Sequence, residues 1–206
     1  MTGTIEEIGK LLDLGKVTSL KLVTSALKEI DSDEGQGQTT FTKTYADQAK
    51  AQAIAIDKLR VAGLVLSPIA GMPISIKDLF DVAGETTMAG SRVRENSAPA
   101  LRDADIIKKL RSAGAILIGR TNMTEFAFSG LGINPHYGTP LNPWNREEAR
   151  IPGGSSSGAA VSVSDNMAVA GIGTDTGGSV RIPSALCGLT GFKPVSYTHL
   201  TLPTKA

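Results

Sequence analysis

The sequence has few of the residues that form disulfides and metal sites. Cys187 is the only cysteine among 206 residues, so no disulfide can form within the chain. This cysteine usage is typical of a reducing compartment, and we expect a cytoplasmic location. The two histidines, His136 and His199, are too few for an ordinary zinc site. We therefore predict neither a metal nor any other cofactor.

An excess of charge of one sign and long apolar runs are also absent. The chain has 21 basic and 20 acidic residues, and its formal net charge is +1. This balance provides no attraction to nucleic acid or to an anionic membrane surface. No apolar run approaches the roughly 20 residues of a membrane-spanning helix. The first ten residues also lack the basic and apolar segments of a secretion signal.

Hydrophobic residues make up 41% of the chain, which is enough for a folded core. Residues 1–65 are predicted to be a helical region. Thr4 and Glu7 have the spacing of a capping box before a first helix, and Thr18 or Ser19 begins a second. The polar stretch 31–38 is interpreted as a loop, and a third helix is expected over about residues 45–59.

Residues 66–194 alternate between short apolar segments and helical ones. Strands are predicted over residues 74–76, 115–118 and 167–172, and helices over residues 103–113 and 159–164. This alternation indicates an α/β fold with a sheet covered by helices.

Lys77 ends the apolar segment 71–78. Partial burial there would lower the pKa of the lysine from about 10.4 toward neutrality. A neutral lysine can act as a base. The alternative is a lysine that extends to solvent or pairs with Asp78, and one lysine alone does not decide between them.

Two glycine-rich segments follow. Gly153–Gly158 places three serines between glycines, whose small size allows close backbone approach, although a flexible loop is the alternative. Gly173–Pro183 follows a predicted strand, so its consecutive N–H groups can form a nest for an oxyanion next to Ser179. For this segment, a phosphate-binding turn or a plain loop is the alternative.

The spacing argues against three familiar motifs. No segment ends in Gly-Lys-Ser/Thr as a P-loop does. The glycines at 171, 173 and 177 are out of register for the dinucleotide fingerprint, so a nucleotide-binding module requires that Gly173–Ser179 bind phosphate. Residues 154–158 match the Gly-x-Ser-x-Gly motif of α/β-hydrolases. That motif requires a preceding strand, and residues 147–152 make a poor one. It also requires a later triad histidine, and only His199 follows.

Together, these segments resemble the amidase signature family over about residues 5–194. The likeness is strongest in residues 71–78, 119–126 and 152–194. The separation between Ser155 and Ser179 is that of the family, and the lysine lies upstream as expected. The resemblance implies a mixed central β-sheet flanked by helices, with N-terminal helices.

The resemblance also implies a Ser–cisSer–Lys triad. Ser179 matches the nucleophile, Ser155 the bridging serine on a cis peptide bond, and Lys77 the base. The implied oxyanion hole consists of the backbone N–H groups of Thr176, Gly177, Gly178 and Ser179. The residues expected to support the serine loop and the nucleophile turn are Ser157, Asp175 and Arg181.

The implied reaction is hydrolysis of a small carboxylic amide. Residues 128–138 look more like the general amidases and the carboxybiuret-hydrolase branch than like the A subunit of glutamyl-tRNA(Gln) amidotransferase, which is the alternative. The expected partner is the small-molecule amide substrate. We expect no direct binding of nucleic acid and no binding to a membrane. A homodimer or a small accessory subunit is left open.

The end of the sequence departs from the family pattern after Pro194. Family members continue well beyond this point, so we expect an incomplete, C-terminally truncated signature core over residues 66–194. Residues 195–206 are interpreted as a non-native tail. The second alternative is therefore an inactive fragment of an amidase, with open strand edges that reduce solubility.

Overall fold

The computed structural model describes residues 3–194, and the predicted tail 195–206 lies outside the described residues. The fold is α/β with a four-stranded mixed sheet flanked by helices, as expected from the sequence. In chain order the elements are α1 (Ile5–Asp13), α2 (Ser19–Ile30), α3 (Gly37–Thr40), β1 (Phe41–Thr44), α4 (Ala46–Val61), β2 (Pro73–Lys77), α5 (Asp105–Ser112), β3 (Ile116–Thr121), α6 (Ser157–Ser164), β4 (Ala170–Ile172) and α7 (Arg181–Leu186).

The helix starts follow from local capping. Thr4 and Glu7 form the predicted capping box at α1, and the Thr18 side chain accepts a hydrogen bond from Lys21 N at the start of α2. Within residues 3–194, no helix is long and apolar enough to cross a membrane.

The strand order in the sheet is β1-β3-β2-β4. Strand β2 is parallel to both β3 and β4, whereas β1 is antiparallel to β3. The region 1–65 is therefore not purely helical, because β1 lies within it. The Phe-Thr-Lys-Thr segment is too short to show a strand period, and its pairing with β3 rather than its own pattern makes it a strand.

Helices cover both faces of the sheet. Along β3, Leu117 belongs to one hydrophobic cluster, whereas Ile116 and Ile118 belong to the other, as expected from the alternation of side chains along a strand. Helices α1 and α5 pack on the Leu117 side, and α2 and α4 pack mainly on the other. Residues 1–65 thus contribute to the same cores as residues 66–194, and a domain boundary at residue 65 stays a prediction.

The parallel pairing of β2 with β4 positions the candidate site. Ile76 pairs with Ile172, so the carboxyl ends of these two strands meet at one edge of the sheet. Lys77 is the last residue of β2, and the turn that contains Ser179 begins just after β4.

Candidate active site

Lys77 is a fully buried lysine with two hydroxyl partners. All five residues of β2 are buried, and the Lys77 side chain has no solvent exposure. Its Nζ donates to Ser155 Oγ at 2.6 Å and to Thr174 Oγ1 at 2.8 Å. The structure thus excludes the alternative in which Lys77 extends to solvent or pairs with Asp78.

Burial lowers the pKa of Lys77 from its ordinary value of 10.5 to about 7, and the negative charge of Asp175 opposes part of this shift. The direction agrees with the sequence expectation. Near neutral pH, a substantial fraction of Lys77 is therefore an uncharged amine that can accept a proton.

Asp78 pairs with Arg120 rather than with its neighbour in sequence. Arg120 Nε donates to Asp78 Oδ1 at 2.6 Å, and both side chains are almost completely buried. Arg120 also donates to the Phe80 carbonyl oxygen at 2.8 Å. The Asp78–Arg120 pair holds the end of β2 against β3 directly next to Lys77.

We predict that Arg120→Met lowers the free energy of unfolding by about 3–5 kcal/mol, because it leaves the Asp78 carboxylate buried without its partner. The measurement is urea unfolding followed by circular dichroism. Lys108→Met is the control, since it removes an exposed pair with Asp105 and should cost less than about 1 kcal/mol. Equal losses in the two variants would refute this role of the buried pair.

Ser155 lies in a packed loop. The peptide bond between Gly154 and Ser155 is cis, and residues 152–162 are all buried. Gly154 N donates to the Gly130 carbonyl oxygen at 2.7 Å, and the Ser155 carbonyl oxygen accepts from Thr124 N at 3.1 Å. The alternative of a flexible glycine–serine loop is therefore wrong.

Two glycines of this loop have no room for a side chain. A Cβ at Gly154 would lie 2.6 Å from Gly132 N, and one at Gly158 would lie 2.4 Å from the Thr40 carbonyl oxygen. The glycines thus allow the backbone to approach its neighbours closely enough to place Ser155 against Lys77.

Asp175 organises the turn that contains Ser179. Its carboxylate accepts the backbone N–H groups of Gly178 at 2.9 Å, Val180 at 3.1 Å and Arg181 at 3.2 Å. The Arg181 guanidinium donates to the same carboxylate through Nε and Nη2. The Arg181 side chain, followed by these backbone donors, holds the pKa of Asp175 well below its usual range. Asp175 therefore stays charged and keeps the turn in shape.

The N–H groups predicted for the oxyanion hole differ in their availability. Gly178 N–H is donated to Asp175 Oδ1, so it already has an acceptor within the protein. Within residues 3–194, the N–H groups of Thr176, Gly177 and Ser179 have no acceptor. Three of the four predicted donors are therefore free within residues 3–194, because Asp175 accepts the N–H of Gly178 three positions later. The oxyanion hole itself stays a prediction.

Ser179 is half-buried and reaches the serine loop through its backbone. Its carbonyl oxygen accepts from Ser156 N at 3.2 Å, which places the two loops side by side. Among the hydrogen bonds of residues 3–194, none involves Ser179 Oγ. The structure thus joins Lys77 and Ser155 directly, and brings Ser179 beside them through main-chain contact.

Ser157, its neighbour Asn122 and the single cysteine, Cys187, are all buried. Ser157 is fully buried and its Oγ lies 3.5 Å from the Asn122 carbonyl oxygen. Asn122 Nδ2 donates to the carbonyl oxygens of Thr39 and Gly138, so Asn122 joins the end of β3 to helix α3 and to the loop around Gly138. Cys187 is buried, which raises the pKa of its thiol to about 11, so it is a packing residue.

Among the hydrogen-bond partners of Lys77 within residues 3–194, Thr174 is the one without a role predicted from the sequence. A sequence signal exists, because Thr174 follows β4 and Lys77 ends β2. If the two strands are assumed to be parallel neighbours, both residues lie at the same edge of the sheet.

A comparison with protein families supports the resemblance. The family model described as Amidase matches residues 21–204. This chain belongs to the amidase family. Two curated relatives have similar identity. The A-type subunit of glutamyl-tRNA(Gln) amidotransferase from Synechococcus sp. (strain CC9605) is 41% identical over 191 residues, and the AtzE subunit of 1-carboxybiuret hydrolase from Pseudomonas sp. (strain ADP) is 40% identical over 180 residues.

Solved amidase structures share the fold. The native peptide amidase from Stenotrophomonas maltophilia superposes with a TM-score of 0.77 at 31% identity, over 89% of this chain and 38% of that chain. A structure described as a vestigial complex related to an s-triazine catabolic enzyme gives a TM-score of 0.83 at 38% identity, over 90% of this chain and 40% of that chain. The alignments with the two curated relatives cover 93% and 87% of this chain, but only 38% and 39% of those proteins.

Proposed function

We propose that this amidase-family chain carries the catalytic core of an enzyme that hydrolyses the C–N bond of a small carboxylic amide. Ser179 is the nucleophile, Ser155 the relay and Lys77 the base. The observation that carries the proposal is the 2.6 Å hydrogen bond between the buried Lys77 Nζ and Ser155 Oγ. A serine hydroxyl is a poor nucleophile without a base, and neither histidine of the chain lies in a suitable motif.

The proposed reaction begins with neutral Lys77. It takes the proton of Ser155 Oγ while Ser155 takes the proton of Ser179 Oγ, and Ser179 attacks the carbonyl carbon. The free N–H groups of Thr176, Gly177 and Ser179 hold the oxyanion. The relay then returns the proton to the leaving nitrogen, the C–N bond breaks, and water hydrolyses the acyl-enzyme.

Two supporting roles complete the proposed site. Asp175, held by Arg181, keeps the Ser179 turn in the conformation that leaves three N–H groups free. Ser157 begins α6 directly after the serine loop, and its burial against Asn122 supports the position of Ser155.

The proposed pH dependence follows from the lowered pKa of Lys77. The base works only when uncharged, so hydrolysis should rise about tenfold per pH unit below pH 7 and level off above it. The measurement is kcat/KM between pH 5 and pH 9. A rate that keeps rising up to pH 9 would contradict a base with this pKa.

The substrate branch is also a proposal. Residues 128–138 favour a general amidase or a carboxybiuret-type hydrolase. The second candidate is an amidotransferase A subunit, favoured by the 41% identity with the protein of that name from Synechococcus. Both relatives are named as subunits, so an accessory subunit is the proposed partner. Hydrolysis of glutamine, together with co-purification with a B-type tRNA-binding subunit, would favour the second candidate.

The test of the function uses the chain in two lengths. This chain and a version extended over the remaining length of the family are assayed for release of ammonia from a panel of small primary amides, peptide amides and glutamine. Hydrolysis by the extended version is expected. If this chain alone is inactive in the same assay, it is the inactive fragment. Binding of ATP without hydrolysis of any amide would instead favour the nucleotide-binding alternative.

A further inference from the structure

Thr174 is the second hydrogen-bond partner of the base. Its Oγ1 lies 2.8 Å from Lys77 Nζ, and within residues 3–194 only Thr174 and Ser155 form hydrogen bonds with this nitrogen. Thr174 lies two residues after the end of β4 and directly before Asp175. It therefore connects the base with the turn that contains Ser179.

The backbone at Thr174 packs against the loop that contains Ser155 and Ser156. Its carbonyl oxygen accepts from Ser156 Oγ at 3.4 Å, so the backbone of Thr174 is tied to the residue after Ser155. The preceding Gly173 packs so closely that a Cβ there would lie 2.5 Å from Ser156 Oγ. The backbone that carries the Thr174 hydroxyl is thus packed in place, and the hydroxyl itself contacts Lys77 Nζ.

The hydrogen bond between Thr174 and Lys77 affects which way the lone pair of the uncharged lysine points. A neutral lysine has two N–H donors and one lone pair. To take the Ser155 proton, the lone pair must face Ser155 Oγ, so an N–H must point elsewhere. In a buried site an N–H without an acceptor is unfavourable, and Thr174 Oγ1 is the acceptor that the site provides.

We propose that Thr174 is a positioning residue for Lys77: its hydroxyl accepts a Lys77 N–H and thereby directs the lone pair of the amine at Ser155 Oγ. This inference rests on the proposed function. After the proton has moved, the same hydroxyl accepts from the ammonium and stabilises the charged form of the base.

These two effects separate a positioning role from a purely structural one. Without the Thr174 hydroxyl, the ammonium form loses an acceptor, so the pKa of Lys77 falls and more of the base is uncharged at a given pH. The uncharged amine, however, is less often oriented toward Ser155. The limiting rate should therefore fall while the midpoint of the pH profile moves to lower pH.

The test compares Thr174→Val, which replaces the hydroxyl by a methyl group of similar size, with Thr174→Ser, which keeps the hydroxyl. The first readout is the second-order rate at which a fluorophosphonate labels the extended version between pH 5 and pH 9. The second is the pKa of Lys77 from NMR of lysine-labelled protein, with its signal assigned by its absence in Lys77→Met. The second readout does not depend on turnover.

For Thr174→Val, we expect a limiting labelling rate about tenfold lower, and a midpoint and NMR pKa about one unit lower. Thr174→Ser should stay within about threefold of the wild-type limiting rate, a shortfall of up to roughly 0.7 kcal/mol. If the wild type is labelled but Thr174→Val keeps the wild-type rate and Lys77 pKa, the role of Thr174 is overturned and the proposed function is not. The same holds if Thr174→Ser is as slow as Thr174→Val, or if the rate falls without a change of pKa. A wild type that is never labelled contradicts the proposed function, and the role of Thr174 with it.

Discussion

Replacing Lys77 with methionine is expected to reduce amide hydrolysis at least about a thousandfold and at the same time to stabilise the fold. The loss of activity follows because Lys77 is the base of the proposed relay and no other titratable side chain hydrogen-bonds to Ser155 among residues 3–194. Methionine is unbranched and apolar, so it fills the buried position without a charge.

The gain in stability follows from the pKa of Lys77, which is about 7 in the folded chain and 10.5 ordinarily. Between these values the unfolded chain binds the additional proton, so the stability of the wild type rises with pH from about 7 to 10.5. The cost of burying Lys77 is fully present below pH 7 and is gone above about pH 10.5. Lys77→Met removes it, which should add on the order of 2–4 kcal/mol at pH 7.

The measurements are hydrolysis by the extended version and urea unfolding at pH 7 and at pH 9.5. The advantage of Lys77→Met should shrink at the higher pH. Lys108→Met, on the exposed side of α5, is the matched control and should change neither activity nor stability appreciably. A Lys77→Met variant that is less stable than the wild type at pH 7 would show that the burial of this lysine does not destabilise the fold.

Ser179→Ala is expected to reduce hydrolysis at least about a thousandfold and to leave the fold intact. Ser179 Oγ forms no hydrogen bond within residues 3–194, so removing it breaks none. Catalytic hydrogen bonds often tighten only when substrate is bound, which reconciles this free hydroxyl with a nucleophile. Ser112→Ala, at the exposed end of α5, is the control and should have wild-type activity.

Near-normal amide hydrolysis by Ser179→Ala would remove Ser179 from the mechanism. Unfolding by urea, measured in parallel, distinguishes lost chemistry from lost structure. If Ser179→Ala binds a competitive inhibitor as the wild type does but turns over no substrate, the loss lies in the chemical step.

Local sequence patterns predicted most of the helices and strands, whereas the mixed sheet followed from the family resemblance. The β-branched segment around Ile74 and Ile76 predicted β2, and the spacing of Thr4 and Glu7 predicted the start of α1. The edge strand β1 could not be predicted in the same way, because four residues are too short for a period and its identity depends on pairing with β3.

In the candidate site as well, contacts between residues close in sequence could be predicted, whereas contacts between different strands could not. The sequence left open whether Lys77 pairs with Asp78, because the partner that decides it, Arg120, comes from a neighbouring strand. The contact of Thr174 with Lys77 likewise depends on the order of β2 and β4 in the sheet. By contrast, the hydrogen bond from Gly178 N–H to Asp175 is local, because the two residues are three positions apart.

In the proposed mechanism, Ser179 is a nucleophile activated through Ser155 and Lys77. The most direct measurement is to label the extended version with a fluorophosphonate and to locate the adduct by mass spectrometry after digestion. We predict an adduct on Ser179 in the wild type, none in Ser179→Ala and strongly slowed formation in Lys77→Met. An adduct on Ser155, Ser156 or Ser157, or undiminished labelling of Ser179→Ala, would contradict the account.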